Sequence, residues 1–131
     1  MKDGPLQEKS FAFAVRVVNL YKYLCREKKE YVLSKQLLRS GTAIGALVRE
    51  AEQAESKPDF IHKMAIALKE ANETEYWLLL LRETGYLNAN EAESIITDNK
   101  EFLKLCNTSP ICNGLYRQRG KLASSQVGLQ R

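Results

Sequence analysis

Apolar residues recur along most of the chain at intervals of three and four, the spacing of one face of an α-helix. No segment alternates apolar and polar residues over the length of a β-strand. The pattern is interrupted at the three prolines and at Gly85, which are residues that start or stop helices. It predicts four helices, at about residues 6–29, 35–54, 57–84 and 88–106.

Short loops between helices favour antiparallel packing of neighbours. We therefore predict an all-α fold, an antiparallel up-down-up-down four-helix bundle over residues 1–107, followed by a flexible basic C-terminal tail over residues 108–131. Ser34 and Ser56 are expected to cap the N-termini of the second and third helices. Gly85 is expected to end the third helix.

The first predicted helix is apolar on more than one side. Phe11, Val15 and Val18 share one side at helical spacing, and Val17 and Leu24 extend the apolar arc around most of the circumference. A helix this apolar is buried on two sides. In a small four-helix domain the second side needs another subunit, so the sequence predicts a homo-oligomer.

Two glycines lie one turn apart inside the second helix, although each costs a helix about 1 kcal/mol relative to alanine. Gly41 and Gly45, together with Ser40, form a patch of small residues that allows close packing. Two alternatives remain open for this patch. It receives a bulky side chain of the same chain, such as Phe11 or Trp77, or it contacts a neighbouring subunit. A phosphate-binding loop is excluded, because its glycines lie before a helix and not within one.

Positive charge is unevenly distributed in this chain, whose formal net charge is +4. No acidic residue follows Glu101, so the C-terminal end of the chain is basic. Cations also lie along or near the narrow polar side of the first helix, where Glu8, Glu27 and Glu30 dilute them. Clustered cations favour contact with phosphates, although a solvated basic tail is the alternative. The predicted nucleic-acid-binding residues are Lys9, Arg16, Lys22, Arg26, Lys28, Lys29, Arg117, Arg119 and Lys121.

Side chains for catalysis are sparse. Glu70 and Glu73 lie three residues apart on the third helix, as a carboxylate pair would. However, a di-metal bundle site needs two Glu-x-x-His pairs, and His62 is the only histidine of the sequence. We interpret the two acids as an ion pair or interface contact, with Arg39 as a partner. The sequence predicts no enzyme activity, no metal site and no cofactor.

The N-terminal segment and the cysteines indicate the compartment. The first ten residues contain no apolar signal region, and no apolar run reaches the 18 or so residues of a membrane span. Three cysteines are too few and odd in number for a disulfide framework. We expect a cytoplasmic protein that does not associate with a membrane.

Three stretches of the sequence strongly resemble a family of small bacterial four-helix bundle proteins, often labelled ribosomal-protein-like or 23S rRNA intervening-sequence proteins. They are "KSFAFAVRVVNLYKYL" (9–24), "QLLRSGTAIGALVREAEQAESKPDFIHKMAIALKEANETEYWLLLL" (36–81) and "TGYL" (84–87). The resemblance extends over about residues 9–105. The tail from Asn107 onward lies outside the pattern.

The resemblance implies antiparallel bundles that assemble into rings of five subunits, with no established catalytic site. Some members are encoded inside intervening sequences of 23S rRNA genes. A more distant relative, the accessory protein of diversity-generating retroelements, has a similar bundle and forms a pentameric barrel. It binds nucleic acid and the reverse transcriptase through basic surface.

From the resemblance and the charge pattern we expect a non-enzymatic homopentamer that binds structured RNA or DNA. The alternative is a protein-interaction adaptor, for example an accessory subunit of a reverse transcriptase, with no independent nucleic-acid role.

Overall fold

The computed structural model describes residues 4–108, which form four α-helices. Each helix packs against its neighbours in sequence, and the last helix packs back against the first. The antiparallel four-helix bundle is thereby confirmed, and each predicted helix boundary lies within three residues of the observed one. The predicted flexible basic tail lies outside the described residues, apart from residue 108. The helices are α1 (Pro5–Arg26), α2 (Leu33–Glu52), α3 (Lys57–Glu83) and α4 (Ala89–Thr108).

Only one of the two apolar sides of α1 faces the core. Phe13, Val17 and Leu24 are buried there, with 4%, 0% and 0% of their surface exposed. Phe11 and Val15 point outward and are 59% and 46% exposed. The breadth of the apolar arc in α1 therefore exceeds what this bundle covers within one chain.

The buried faces of the other helices follow the predicted spacing. Each contributes residues three or four positions apart to one continuous apolar core. None of the four described helices combines the length and the apolarity that a membrane-spanning segment needs. The main core residues outside α1 are Leu37, Ile44, Val48, Met64, Ala71, Leu78, Leu81, Ile95, Ile96 and Phe102.

Helix α3 starts and ends as the sequence predicts. The hydroxyl of Ser56 accepts a hydrogen bond from the backbone N–H of Asp59 at 3.2 Å, which satisfies one of the free donors of the first turn. After the helix, Gly85 adopts a φ of +86°, the left-handed conformation that glycine tolerates without a Cβ penalty. Both predicted caps of this helix are confirmed.

The prediction that Ser34 caps α2 is wrong. The helix begins at Leu33, so Ser34 lies inside its first turn and is fully buried. Its hydroxyl donates to the backbone carbonyl of Glu30 at 2.8 Å. The side chain that accepts from the amides of this helix start is the carboxylate of Glu30, an acid that the sequence indicates only as diluting the cations of the first helix.

Candidate functional site

The two glycines of α2 pack against α1 of the same chain. A Cβ added at Gly41 would lie 2.8 Å from both γ-carbons of Val17, and one added at Gly45 would lie 3.3 Å from the backbone oxygen of Ser10. Of the two alternatives that the sequence leaves open, the structure therefore shows the contact within the chain. The groups that pack against the two glycines are the side chain of Val17 and the backbone of Ser10, not Phe11 or Trp77.

The other two residues nominated for close packing lie elsewhere. Ser40 faces α3, where its hydroxyl oxygen is 3.0 Å from that of Thr74, and both residues are buried. Trp77 lies partly buried against the core, and its indole N–H donates to Glu73 at 3.3 Å. These residues therefore belong to the α2–α3 contact and to the surface of α3, not to the glycine seam between α1 and α2.

An apolar groove runs along the outer side of the α1–α2 seam, with a volume of about 270 Å³. Phe11 forms its edge, and the guanidinium carbon of Arg49 lies 6.0 Å from the centre of that ring. Because most of the lining is small or apolar, the groove is suited to an apolar side chain. It is lined by Gln7, Ser10, Phe11, Ala14, Thr42, Gly45, Ala46 and Arg49.

Two of the predicted nucleic-acid-binding cations are engaged inside the chain. Lys9 forms an ion pair with Glu101, and Arg16 forms one with Asp98 at 2.5 Å. Arg16 also donates to the backbone oxygen of Ser94 at 3.2 Å. All three acceptors lie on α4, so these cations join the first helix to the last. Their side chains remain 40–46% exposed.

Four other nominated cations lie together toward the end of α1 and in the loop that follows. Lys22, Arg26, Lys28 and Lys29 are exposed, and none of them forms an ion pair within the part of the chain that the structure describes. Lys35, at the start of α2, extends this basic surface. The remaining nominated residues, Arg117, Arg119 and Lys121, lie outside the described residues.

The carboxylate of Glu30 is turned away from this surface, although the sequence places it among the cations. It is only 7% exposed, and its carboxylate accepts from the backbone N–H groups of Val32, Leu33 and Ser34 at 3.1, 2.8 and 2.6 Å. Burial acts to raise the pKa of Glu30, but these hydrogen bonds outweigh it and the pKa is lowered. The charge is therefore held against helix amides, and Glu27 remains the one exposed acid between residues 22 and 35.

The loop that carries the basic surface has a defined backbone. Lys29 adopts a φ of +53°, and the N–H of Glu30 donates to the carbonyl of Leu24 at 3.0 Å, closing the end of α1. The same Glu30 then caps α2 through its side chain. One residue thus fixes both ends of the loop. A Glu placed two to four residues before a helix start is a sequence signal that could have revealed this role.

The acidic pair on α3 is electrostatically coupled. Burial raises the pKa of Glu70, and the adjacent charge of Glu73 raises it further, while Arg39 and Lys69 act in the opposite direction. No ion pair joins Arg39 to either acid among the described residues. Within that same part of the chain, no three His, Cys, Asp or Glu side chains converge to hold a metal ion.

Comparisons with known proteins agree with this architecture. The model of the family described as "23S rRNA-intervening sequence protein" matches residues 2–108. A solved structure of a protein of unknown function from the S23 ribosomal protein family, from Bacteroides thetaiotaomicron, is 62% identical. The match covers 76% of this chain and 93% of that one, with a TM-score of 0.75. None of the curated proteins matches the sequence. The chain belongs to the 23S rRNA-intervening sequence protein family.

Proposed function

We propose that this protein is a non-enzymatic homo-oligomer, a ring of five subunits, that binds RNA or DNA through the basic surface at the end of α1. The observation that carries the nucleic-acid proposal is a group of four exposed cations, Lys22, Arg26, Lys28 and Lys29, which form no ion pair within residues 4–108 and lie beside an acid bonded to backbone amides. Cations without intramolecular partners are available to neutralise phosphates, and each phosphate contact releases counterions.

Assembly strengthens this proposal, because one subunit offers only a small basic surface. Phe11 and Val15 are exposed on α1, and Phe11 lines an apolar groove whose other residues are mostly small. Because the exposed apolar side chains and the groove lie on the same two helices, the side chains of one copy could pack into the groove of another. The number five rests on the family resemblance. A ring would present the cations from Lys22 to Lys29 once per subunit, which raises the affinity for a long polyanion.

The nucleic-acid proposal is tested by the salt dependence of binding to an RNA hairpin. Lys28→Gln combined with Lys29→Gln should lower the slope of log K against log salt by about 1.5, since each lost phosphate contact removes about 0.7–0.9. The matched control removes two cations that are already paired, Lys63 with Glu50 at 3.3 Å and Arg82 with Glu83 at 3.0 Å. Lys63→Gln with Arg82→Gln should leave the slope nearly unchanged.

Equal effects of the two double variants, or no binding by the wild type at low salt, would contradict the proposal. If a nuclease-resistant protein partner were recovered in that second case, the adaptor alternative would take its place.

The assembly proposal is tested separately by native mass spectrometry at micromolar concentration. A mass of five chains is expected, and Phe11→Ser with Val15→Ser should shift the protein toward smaller species because both side chains are exposed in one copy. A wild-type monomer under these conditions would refute assembly without bearing on nucleic-acid binding.

A further inference from the structure

We infer that the loop between α1 and α2 recognises unpaired bases, with Tyr31 as the side chain on which a base stacks. The inference rests on the proposed nucleic-acid binding and names its substrate class, a single strand or an open loop of RNA or DNA. It arises from an aromatic ring in the middle of the basic surface that packing of the described chain does not require.

Tyr31 is 57% exposed and its neighbour Val32 is 72% exposed, although both are large apolar residues. Neither contributes to the apolar core or to the residues packed against it. Within residues 4–108, no hydrogen bond or ring contact engages the Tyr31 side chain. The phenol ring therefore has a free face in solution, which is what a base needs for stacking.

Cations flank this ring on both sides in sequence. Residues 22–35 hold five cations and two acids, and one of those acids is the buried Glu30. The acids from neighbouring elements at this end of the bundle are partly engaged. Glu83 is paired with Arg82, and Glu91 accepts from the N–H of Asn88 at 3.3 Å in the cap of α4. A phosphate backbone beside Tyr31 would thus meet mainly unpaired positive charge.

The geometry of the loop also decides how phosphate is recognised. A helix start ordinarily offers free N–H groups to an anion. At α2 three of those groups already donate to Glu30, so a phosphate has to be bound by the lysine and arginine side chains. Because the backbone on both sides of Tyr31 is fixed by hydrogen bonds, little ordering accompanies binding and the ring is presented in advance.

Cations alone do not distinguish a single strand from a duplex, because both carry phosphates. Stacking does, because bases inside a duplex are already stacked and show no free face. The loop should therefore bind unpaired nucleotides more tightly than paired ones, and Tyr31 should carry that preference.

The test measures binding of the full chain to a fluorescent 12-nucleotide uridine strand and to a 12-base-pair RNA duplex. Tyr31→Ala should weaken binding to the single strand by roughly five- to 150-fold, the range for loss of one base–aromatic stack, and binding to the duplex by less than twofold. Tyr31→Phe should bind as the wild type does. Tyr76→Ala is the matched control, because Tyr76 is 58% exposed but belongs to α3 and not to the loop.

The salt dependence separates stacking from charge. Tyr31→Ala removes no cation, so the slope of log K against log salt should stay the same, whereas the Lys28 and Lys29 double variant lowers it for both ligands. If Tyr31→Ala weakened both ligands equally, or neither, the stacking inference would be wrong while nucleic-acid binding stood. If the wild type bound neither ligand, the proposed function would fail as well. Binding only to vesicles of anionic phospholipid, lost in Tyr31→Ala, would overturn the inference in favour of a membrane surface.

Discussion

The packing of Gly41 against Val17 predicts that Gly41→Ala destabilises the wild type but stabilises a variant in which Val17 is replaced by alanine. In the wild type, the methyl group of Gly41→Ala would lie 2.8 Å from both γ-carbons of Val17, well inside the 3.5–4.0 Å of a normal carbon contact. Val17 is fully buried and β-branched, so it has one favoured rotamer in a helix and cannot turn away. Helix α1 would have to shift.

The expected magnitude follows from two opposing effects. Overpacking a well-packed site costs about 1–3 kcal/mol, and replacing a glycine inside a helix by alanine returns about 1 kcal/mol. Gly41→Ala should therefore lower the free energy of unfolding by about 0–2 kcal/mol. In a Val17→Ala background both γ-carbons are gone, and the nearest remaining atom is the β-carbon at 3.2 Å. A movement of a few tenths of an ångström then suffices, and Gly41→Ala should stabilise by up to about 1 kcal/mol.

The assay is urea unfolding followed by circular dichroism for the wild type, both single variants and the double variant. All four are measured at one protein concentration, because assembly would make unfolding depend on it. We expect a favourable coupling of at least about 1 kcal/mol between the two positions. Strictly additive effects, or a Gly41→Ala variant that is about 1 kcal/mol more stable than the wild type, would refute the close contact.

Three further substitutions test the polar contacts of the bundle. Glu30→Gln should lower the free energy of unfolding by about 1 kcal/mol at pH 7, the usual value of an N-terminal cap. Because the folded pKa of Glu30 is lowered, this stability is present above the unfolded pKa and lost as the pH falls through the folded one. Urea unfolding should therefore show variant and wild type converging in acid, and a constant difference would contradict the cap. Glu70→Gln should raise the melting temperature at pH 7, because burial and Glu73 raise the folded pKa of Glu70 and make its charged form unfavourable. The gain should vanish below about pH 4, where Glu70 is protonated and therefore as neutral as the glutamine that replaces it. A lower melting temperature of the variant at pH 7 would exclude this account. Thr74→Val should cost about 1 kcal/mol in thermal unfolding, because the buried Ser40 hydroxyl loses its neighbour, whereas Thr74→Ser should cost less.

The fold was predictable because its determinants are local and repeated. The core face of α2, for example, contains Leu37, Ile44 and Val48 at helical spacing, and all three are buried. Ser56 and Gly85 mark the ends of α3 by chemistry that acts within a few residues. Such signals act between residues that are close in sequence, so they can be interpreted without knowing the tertiary structure.

The candidate site was less predictable, because the sequence does not show which charged side chains form ion pairs with each other. The charge and position of Lys9 and Arg16 on α1 predict phosphate contacts, yet the acids that pair with them lie 92 and 82 residues away on α4. Glu30 was counted against the basic surface, although the turn of the backbone at Lys29 brings its carboxylate to the start of α2. Both outcomes depend on which elements meet in three dimensions.

The way Glu30 holds the loop has a consequence for how this protein can change. Its carboxylate accepts from backbone amides at the start of α2, the Ser34 hydroxyl donates to its carbonyl, and its own N–H donates to Leu24, so the loop conformation depends mainly on the contacts of residue 30. The side chains at positions 28, 31 and 32 form no hydrogen bond or ion pair within the described chain. Substitutions at those three positions can therefore alter what the surface binds while the bundle keeps its stability. Under the proposed function, the residues that bind the ligand and the residues that hold the loop are different members of one short segment, so new binding specificities could be introduced there without redesigning the bundle.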